Sequence, residues 1–258
     1  MSTPSHIRLR QICLATLDLP KQETALSNIL GLDPCHKSQL DEFGLENTLF
    51  AINGTFIELV APTTANTAVH RFLERSNGVG GYMAIFDCDD VPARKKAAAD
   101  LGIEPIYEKT YPGADLLQLN PRQTGITLVE FDHHRGGEDM LGHYEWAGRN
   151  WQKGINTDLI QNMRSITLSC SDPQSRSIQW SPLFGRDVKT PDVPLILPLD
   201  YGALHFENNS NKGSDCFSGL QLTSHSVLTV LDAARKEGYP VTNNTFSYCG
   251  VTFEILAT

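Results

Sequence analysis

The sequence predicts an α+β fold of four tandem βαβββ modules, paired into two domains with curved mixed sheets. Three observations predict it. "NGTFIELVAP" (53–62) and "TGITLVEFDH" (124–133) read as buried strands with a glutamate in the middle, and Thr55 and Glu58 match Thr127 and Glu130 at an offset of 72 residues. The same offset, within one residue, lays "LRQICLATLD" (9–18) on "GGYMAIFDCDD" (80–90) and sets Tyr82 against Gln11. At an offset of 154, Gln11, Asp18, Gly31 and Asp33 fall on Ser165, Asp172, Gly185 and Asp187, so the second half repeats the plan.

Each element has a local reason. In the first module a strand ends at Asp18, which can cap a helix, with Pro20 in its first turn and Gly31 as a left-handed stop after "KQETALSNIL". Extended stretches follow around Cys35 to Gln39, at "NTLFAI" and at "TFIELVAP". In the second module Asp90 and Pro92 open "ARKKAAADL", Gly102 closes it, and "EPIYEK", "DLLQLN" and "ITLVEF" follow. "MRSITLSCSDP" (163–173) opens the third module. The fourth runs from about Cys216 through the helix "SVLTVLDAARKEG" to the strand "GVTFEILAT". The expected boundaries are a first domain at 1–134, a linker at 135–160 and a second domain at 161–258. The linker is rich in Gly and polar residues, with Trp146 and Trp151 pinning it to a surface.

Composition narrows the function. The net charge is −9 over 258 residues and the Lys and Arg residues are scattered, which argues against nucleic acid as a partner. No run of about 18 apolar residues exists to cross a bilayer, and "MSTPSHIRLR" lacks the apolar core of a signal peptide. Six widely spaced cysteines without a C-x-x-C suit a reducing compartment, so a soluble cytoplasmic protein is expected.

Side chains alternate along a strand, so residues 56, 58 and 60 face one way and 57 and 59 the other. Glu58 and Glu130 then sit on a face that is otherwise apolar. A carboxylate buried there without partners costs several kcal/mol or takes up a proton. The bland explanation is an ion pair with a nearby Arg or Lys. The functional one is a site at which Gln11, Glu58, Tyr82 and Glu130 converge from the inner face of a half-barrel. Cys13 shares Gln11's face, either as a small core thiol or near the site. "LNPRQTG" (119–125) puts Asn120 or Arg122 at a pocket rim, where a cation suits an anionic substrate, or forms a plain turn. His133 and His134 read as surface residues running into the linker, and His143 and His205 stand alone.

The βαβββ duplication with "LRQICLATLDLP", "TFIELVAP", "GGYMAIFDCDD" and "ITLVEF" resembles the vicinal oxygen chelate superfamily, which includes glyoxalase I, methylmalonyl-CoA epimerase, extradiol dioxygenases and metal-free drug-binding proteins. Residues 7–133 carry the resemblance well and 163–258 more loosely. It implies a small-molecule enzyme of lyase, isomerase or dioxygenase type, with Glu130 and Tyr82 catalytic and Gln11 binding substrate; Arg122, from the rim reading, is the further substrate-binding candidate. It also implies a divalent ion (Mg, Mn or Fe) on Gln11, Glu58 and Glu130. Tyr82 stands where the family's metal-binding His is expected, which leaves open a metal-free binding or sequestering protein. In the second domain Ser165 replaces Gln11, His205 replaces Glu58, the Gly219 region replaces Tyr82, and Glu254 is expected one residue out of step, facing away. A homodimer is the expected assembly.

Overall fold

The computed structural model describes residues 6–189, 194–209 and 213–258. Ile7–Ala15 (β1), Leu19–Leu30 (α1), Pro34–Leu40 (β2), Leu45–Ile52 (β3) and Thr55–Pro62 (β4) make the first module. After a helix at Ala68–Ser76 (α2) come Met83–Cys88 (β5), Val91–Asp100 (α3), Pro105–Thr110 (β6), Ala114–Leu119 (β7), the short helix Pro121–Thr124 (α4) and Leu128–His134 (β8). The second half runs Ile160–Cys170 (β9), Pro173–Phe184 (α5), Leu195–Pro198 (β10), Ala203–Asn208 (β11), Cys216–Ser224 (β12), Val227–Lys236 (α6), Val241–Thr242 (β13), Thr245–Tyr248 (β14) and Val251–Ala257 (β15). Between α5 and β10 the described residues add only an isolated bridge from Lys189 to Ile196.

The helix ends follow the sequence cues. The Asp18 side chain accepts from the Lys21 backbone N–H and Gly31 takes the left-handed stop at φ 67°. Asp90 and Asp172 cap α3 and α5 in the same way. Two helices are absent from the sequence reading: the short α4, which falls in the stretch read as a turn, and α2. The signals of α2 are ordinary ones: Thr67 as cap, Val69, Phe72 and Leu73 at helical spacing, and Asn77 as a left-handed stop at φ 50°.

The strands form two curled mixed sheets. The first has eight strands in the order β2-β3-β4-β1-β5-β8-β7-β6, and the second has seven in the order β10-β11-β9-β12-β15-β14-β13. In each, two antiparallel centre strands are flanked by parallel partners: β1 and β5 by β4 and β8, β9 and β12 by β11 and β15. One apolar core holds the outer faces of both sheets. It takes Leu26 and Ile29 from α1, Ala98 from α3, Trp180 and Phe184 from α5 and Val230 from α6. Ile57, Leu59, Val129 and Phe131 point into that core, which turns Glu58 and Glu130 to the inner, concave face. The first sheet curls until its edges meet: the Tyr107 hydroxyl donates to Glu42 at 3.0 Å, Lys109 pairs with Glu42 at 3.0 Å, and Phe43 packs edge-on to Tyr107.

Residues 135–158 do more than connect the sheets. The chain turns back across the concave face of the first sheet, where Tyr144, Ala147 and Trp151 are buried with Leu49, Ala51 and Phe56. Tyr144 stacks on Phe56 at 4.6 Å. A β-bulge at Arg10, between Leu9 and Gln11, turns both Arg10 and Gln11 inward. The Arg10 guanidinium then lies 4.8 Å from the Tyr144 ring and 5.7 Å from that of Trp151, and donates to the Met140 carbonyl. Among the described residues no helix is long and apolar enough to cross a membrane.

Candidate active site

Register sets the site. On β1, Cys13 lies beside Glu58 of β4 and opposite Met83 of β5; on β5, Ile85 lies beside Glu130 of β8 and opposite Gln11. The two glutamates therefore flank the centre strands symmetrically. The residue paired with Gln11 by the repeat is Met83, one position beyond the expected Tyr82. A single residue matters because it changes the face a strand side chain occupies.

Glu58 is 5% exposed and Glu130 is 3% exposed. Among the described residues neither forms an ion pair, so the bland explanation of a neighbouring Arg or Lys fails. Amides hold them instead. Gln11 Nε2 donates to Glu58 at 2.9 Å and Asn47 Nδ2 at 2.6 Å, while Gln118 Nε2 donates to Glu130 at 2.6 Å. The Tyr144 hydroxyl donates to Gln11 Oε1 at 2.9 Å, which fixes the orientation of that amide. Burial pushes the Glu58 carboxyl up, and the amides only partly offset it. Burial pushes Glu130 well above its ordinary value, helped by the nearby Asp132 charge. Both carboxyls hold a proton more readily than an exposed glutamate does.

Below Glu130, on the same face of β8, lie Asp132 and His134, both buried. His134, expected at the surface, is inside. Its Nδ1 accepts from the Glu145 backbone N–H at 3.1 Å, so its neutral ring carries the proton on Nε2, 3.6 Å from Asp132 Oδ2. Burial lowers His134 to about 3 and it stays neutral. Trp146 Nε1 donates to Asp132 Oδ2 at 2.7 Å. Burial, then the Asp87 charge, raises Asp132 from 3.8 to about 8. Between those values the folded chain binds this proton more tightly than the unfolded one, so the stability it contributes is full below pH 4 and lost as pH rises to about 8. From pH 6.5 to 8 that loss is on the order of 2 kcal/mol. Asp132→Asn keeps an acceptor for Trp146 and is expected to flatten the decline in Tm between pH 6.5 and 8.5. Parallel wild-type and variant curves would show that Asp132 does not titrate there.

The other expected residues scatter. Tyr82 precedes β5, its N–H donates to the Cys13 carbonyl at 2.9 Å, and its ring meets Phe72 edge-on at 5.3 Å. No hydrogen bond joins its hydroxyl to either glutamate among the described residues, and burial raises its phenol, so it stays neutral. Cys13 is buried beside Glu58. Arg122 is exposed on α4, which faces the second half: the Thr124 carbonyl accepts from Trp180 and Arg176. His133 is half-buried, its Nδ1 3.1 Å from the Cys88 carbonyl. Sequence reasoning missed Asn47, Gln118, Asp132, His134 and Tyr144. Period-two alternation from Glu130 could have placed Asp132 and His134, whereas nothing local points to Tyr144.

The second sheet corrects one expectation. Glu254 lies beside Gln221 as Glu130 lies beside Ile85, so it keeps the concave face instead of turning away. It accepts from Gln221 Nε2 at 2.7 Å, and Ser165 donates to Gln221 Oε1 at 2.5 Å. His205, opposite Thr167, takes Glu58's place and Gly219 takes that of Met83.

No family model matches the chain. An uncharacterized Bacillus subtilis protein, YqjC, is 28% identical over 134 residues, which is 51% of this chain and 95% of that protein. Human mitochondrial methylmalonyl-CoA epimerase is 25% identical over 128 residues, 48% of this chain and 73% of its own length. A crystal structure of a hypothetical protein from Staphylococcus aureus covers 98% of this chain and 99% of its own, with a TM-score of 0.70 at 12% identity. That likeness shows that the two-sheet fold extends along the whole chain.

Proposed function

This chain has the vicinal oxygen chelate (glyoxalase-like) fold, and from that premise we propose that its first domain, residues 1–134, is a small-molecule isomerase-type enzyme that moves a proton on and off a carbon beside a carbonyl. The observation that carries the reading is the symmetric pair Glu58 and Glu130: buried, held by amides, without an ion pair among the described residues and turned to the same concave face. Inverting such a carbon needs a base on one face and an acid on the other. Two carboxyls that burial raises above the ordinary glutamate value supply one group of each kind. In the forward step one carboxylate takes the α-proton and leaves an enolate. The other, protonated, carboxyl then returns a proton to the opposite face. Gln11, Asn47 and Gln118 orient the two groups. The second domain, 161–258, serves as support.

The residues present do not fit a hard divalent ion. A metal would need Gln11, Glu58, Glu130 and the repeat partner of Gln11, but that partner is Met83, whose thioether is a soft donor. Gln11 Oε1 is taken by Tyr144, and the amides of Gln11, Asn47 and Gln118 already engage the carboxylate oxygens. The described residues hold no group of three His, Cys, Asp or Glu arranged for an ion. Met83 is also what favours the second reading, a metal-free binding or sequestering protein.

Incubation with methylmalonyl-CoA and other 2-branched acyl thioesters in D2O, followed by NMR at C2, tests the proposal. Deuterium exchange that survives dialysis against a chelator is expected. Binding of these thioesters without exchange would replace the enzyme by the sequestering protein.

A further inference from the structure

The concave face that carries Glu58 and Glu130 is covered from two sides, and the two covers differ in how they are held. On one side lies residues 137–151. Tyr144 and Trp151 are 0% and 1% exposed, and hydrogen bonds run to the segment from Arg8 and Arg10 and from it to Gln11 and Asp132. On the other side lies α2. Val69 is buried and Phe72 and Leu73 are partly buried against Cys13, Val60, Met83 and Leu128. Among the described residues no hydrogen bond links residues 68–77 to the sheet; those of α2 are local, such as Arg71 N–H to the Thr67 carbonyl and His70 N–H to Thr67 Oγ1.

Both ends of α2 are turns. Asn66, Asn77 and Gly78 take left-handed φ values of 61°, 50° and 71°, so the helix is joined to the chain by turns on both sides. Just beyond those turns the chain is fixed. Thr63 N–H donates to the Gly44 carbonyl at 2.9 Å, Gly80 N–H to that of Gly250 at 2.8 Å and Gly81 N–H to that of Phe217 at 2.8 Å. Gly80 and Gly81 have no room for a side chain there, since a Cβ on Gly81 would lie 2.1 Å from the Phe217 ring. α2 is thus a short amphipathic helix between two anchored posts, packed on the sheet through three apolar side chains, an arrangement of low local stability.

We propose that α2 is a hinged gate over the two buried carboxyls, and that an incoming ligand displaces Val69, Phe72 and Leu73 and seats a small apolar acyl chain on Cys13, Val60, Met83 and Leu128. The gate rests on the reading that this concave face takes a ligand, and it deepens that reading by assigning the entry route and an apolar-headed ligand class. The carbonyl end of such a ligand lies toward Glu58, whose neighbour on the sheet is the same Cys13, and toward Glu130, whose neighbour is Ile85, two residues from Met83 on β5.

Hydrogen exchange on the unmodified full chain tests the gate. Amides of residues 69–77 are expected to exchange at least tenfold faster than those of α1. Equal protection would overturn the gate and leave the proton-transfer reading standing. In Phe72→Ala, and in the milder Leu73→Ala, alkylation of Cys13 by N-ethylmaleimide, read peptide by peptide, is expected to rise at least tenfold with Cys88 and Cys170 unchanged. Unaltered Cys13 labelling, or a joint rise at all three cysteines, would overturn it. A gate that opens in these experiments, combined with no thioester binding or exchange, would instead remove the proposed function.

Discussion

Trp151→Ala is expected to destabilise the protein by about 3–5 kcal/mol and to lower Tm by on the order of 10 °C. Trp151 is 1% exposed and packs edge-on to Phe56 at 4.9 Å beneath the Arg10 guanidinium. Removing the indole leaves a large void that this part of the chain cannot close. Gly154, in the same turn, already lies so close to Cys35 that a Cβ there would approach Cys35 Cβ to 2.5 Å. The loss also uncovers Arg10, whose Nε and Nη2 have no hydrogen-bond partner among the described residues and lean on the aromatic rings around them. Denaturant unfolding at constant m-value checks the figure. A loss under 1 kcal/mol would mean that residues 135–158 merely drape over the sheet.

Glu130→Gln is expected to act in opposite directions on stability and turnover. The substitution keeps shape and removes the burial penalty of a carboxyl, so Tm at pH 8 rises. It also removes a proton donor and acceptor, so exchange of the α-proton falls by about 10²–10⁴-fold. Glu58→Gln repeats the kinetic loss from the other side. Thermal melts and the deuterium assay on the same preparation separate the two effects. Higher stability with unchanged exchange would move the chemistry away from this pair, and lower stability would mean that Glu130 holds its surroundings together as an anion.

Much of this was legible locally. Thr55–Glu58 and Thr127–Glu130 announced the duplication, Asp18, Asp90 and Asp172 marked helix starts, and alternation put Glu58 and Glu130 on one face. These cues hold because caps and a side-chain period of two depend on residues a few positions apart. The identity of Gln11's partner depended on a bulge. One extra residue at Arg10 brings Arg10 and Gln11 to the same face, and the register across β1 and β5 then delivers Met83 where Tyr82 was expected.

The sequence by itself determined the α+β modules, their pairing and the presence of two buried carboxyls. Only the tertiary structure decided what surrounds those carboxyls. Residues 135–158, polar and glycine-rich, read as a linker, yet Tyr144 reaches Gln11 across 133 positions and Trp146 reaches Asp132. Glu254, expected to face away, kept its place because strand register is settled between strands and not along one. Which segment covers a concave face is a contest among distant parts of the chain for the same apolar surface. It is won by shape and by hydrogen bonds that exist only once the sheet has curled.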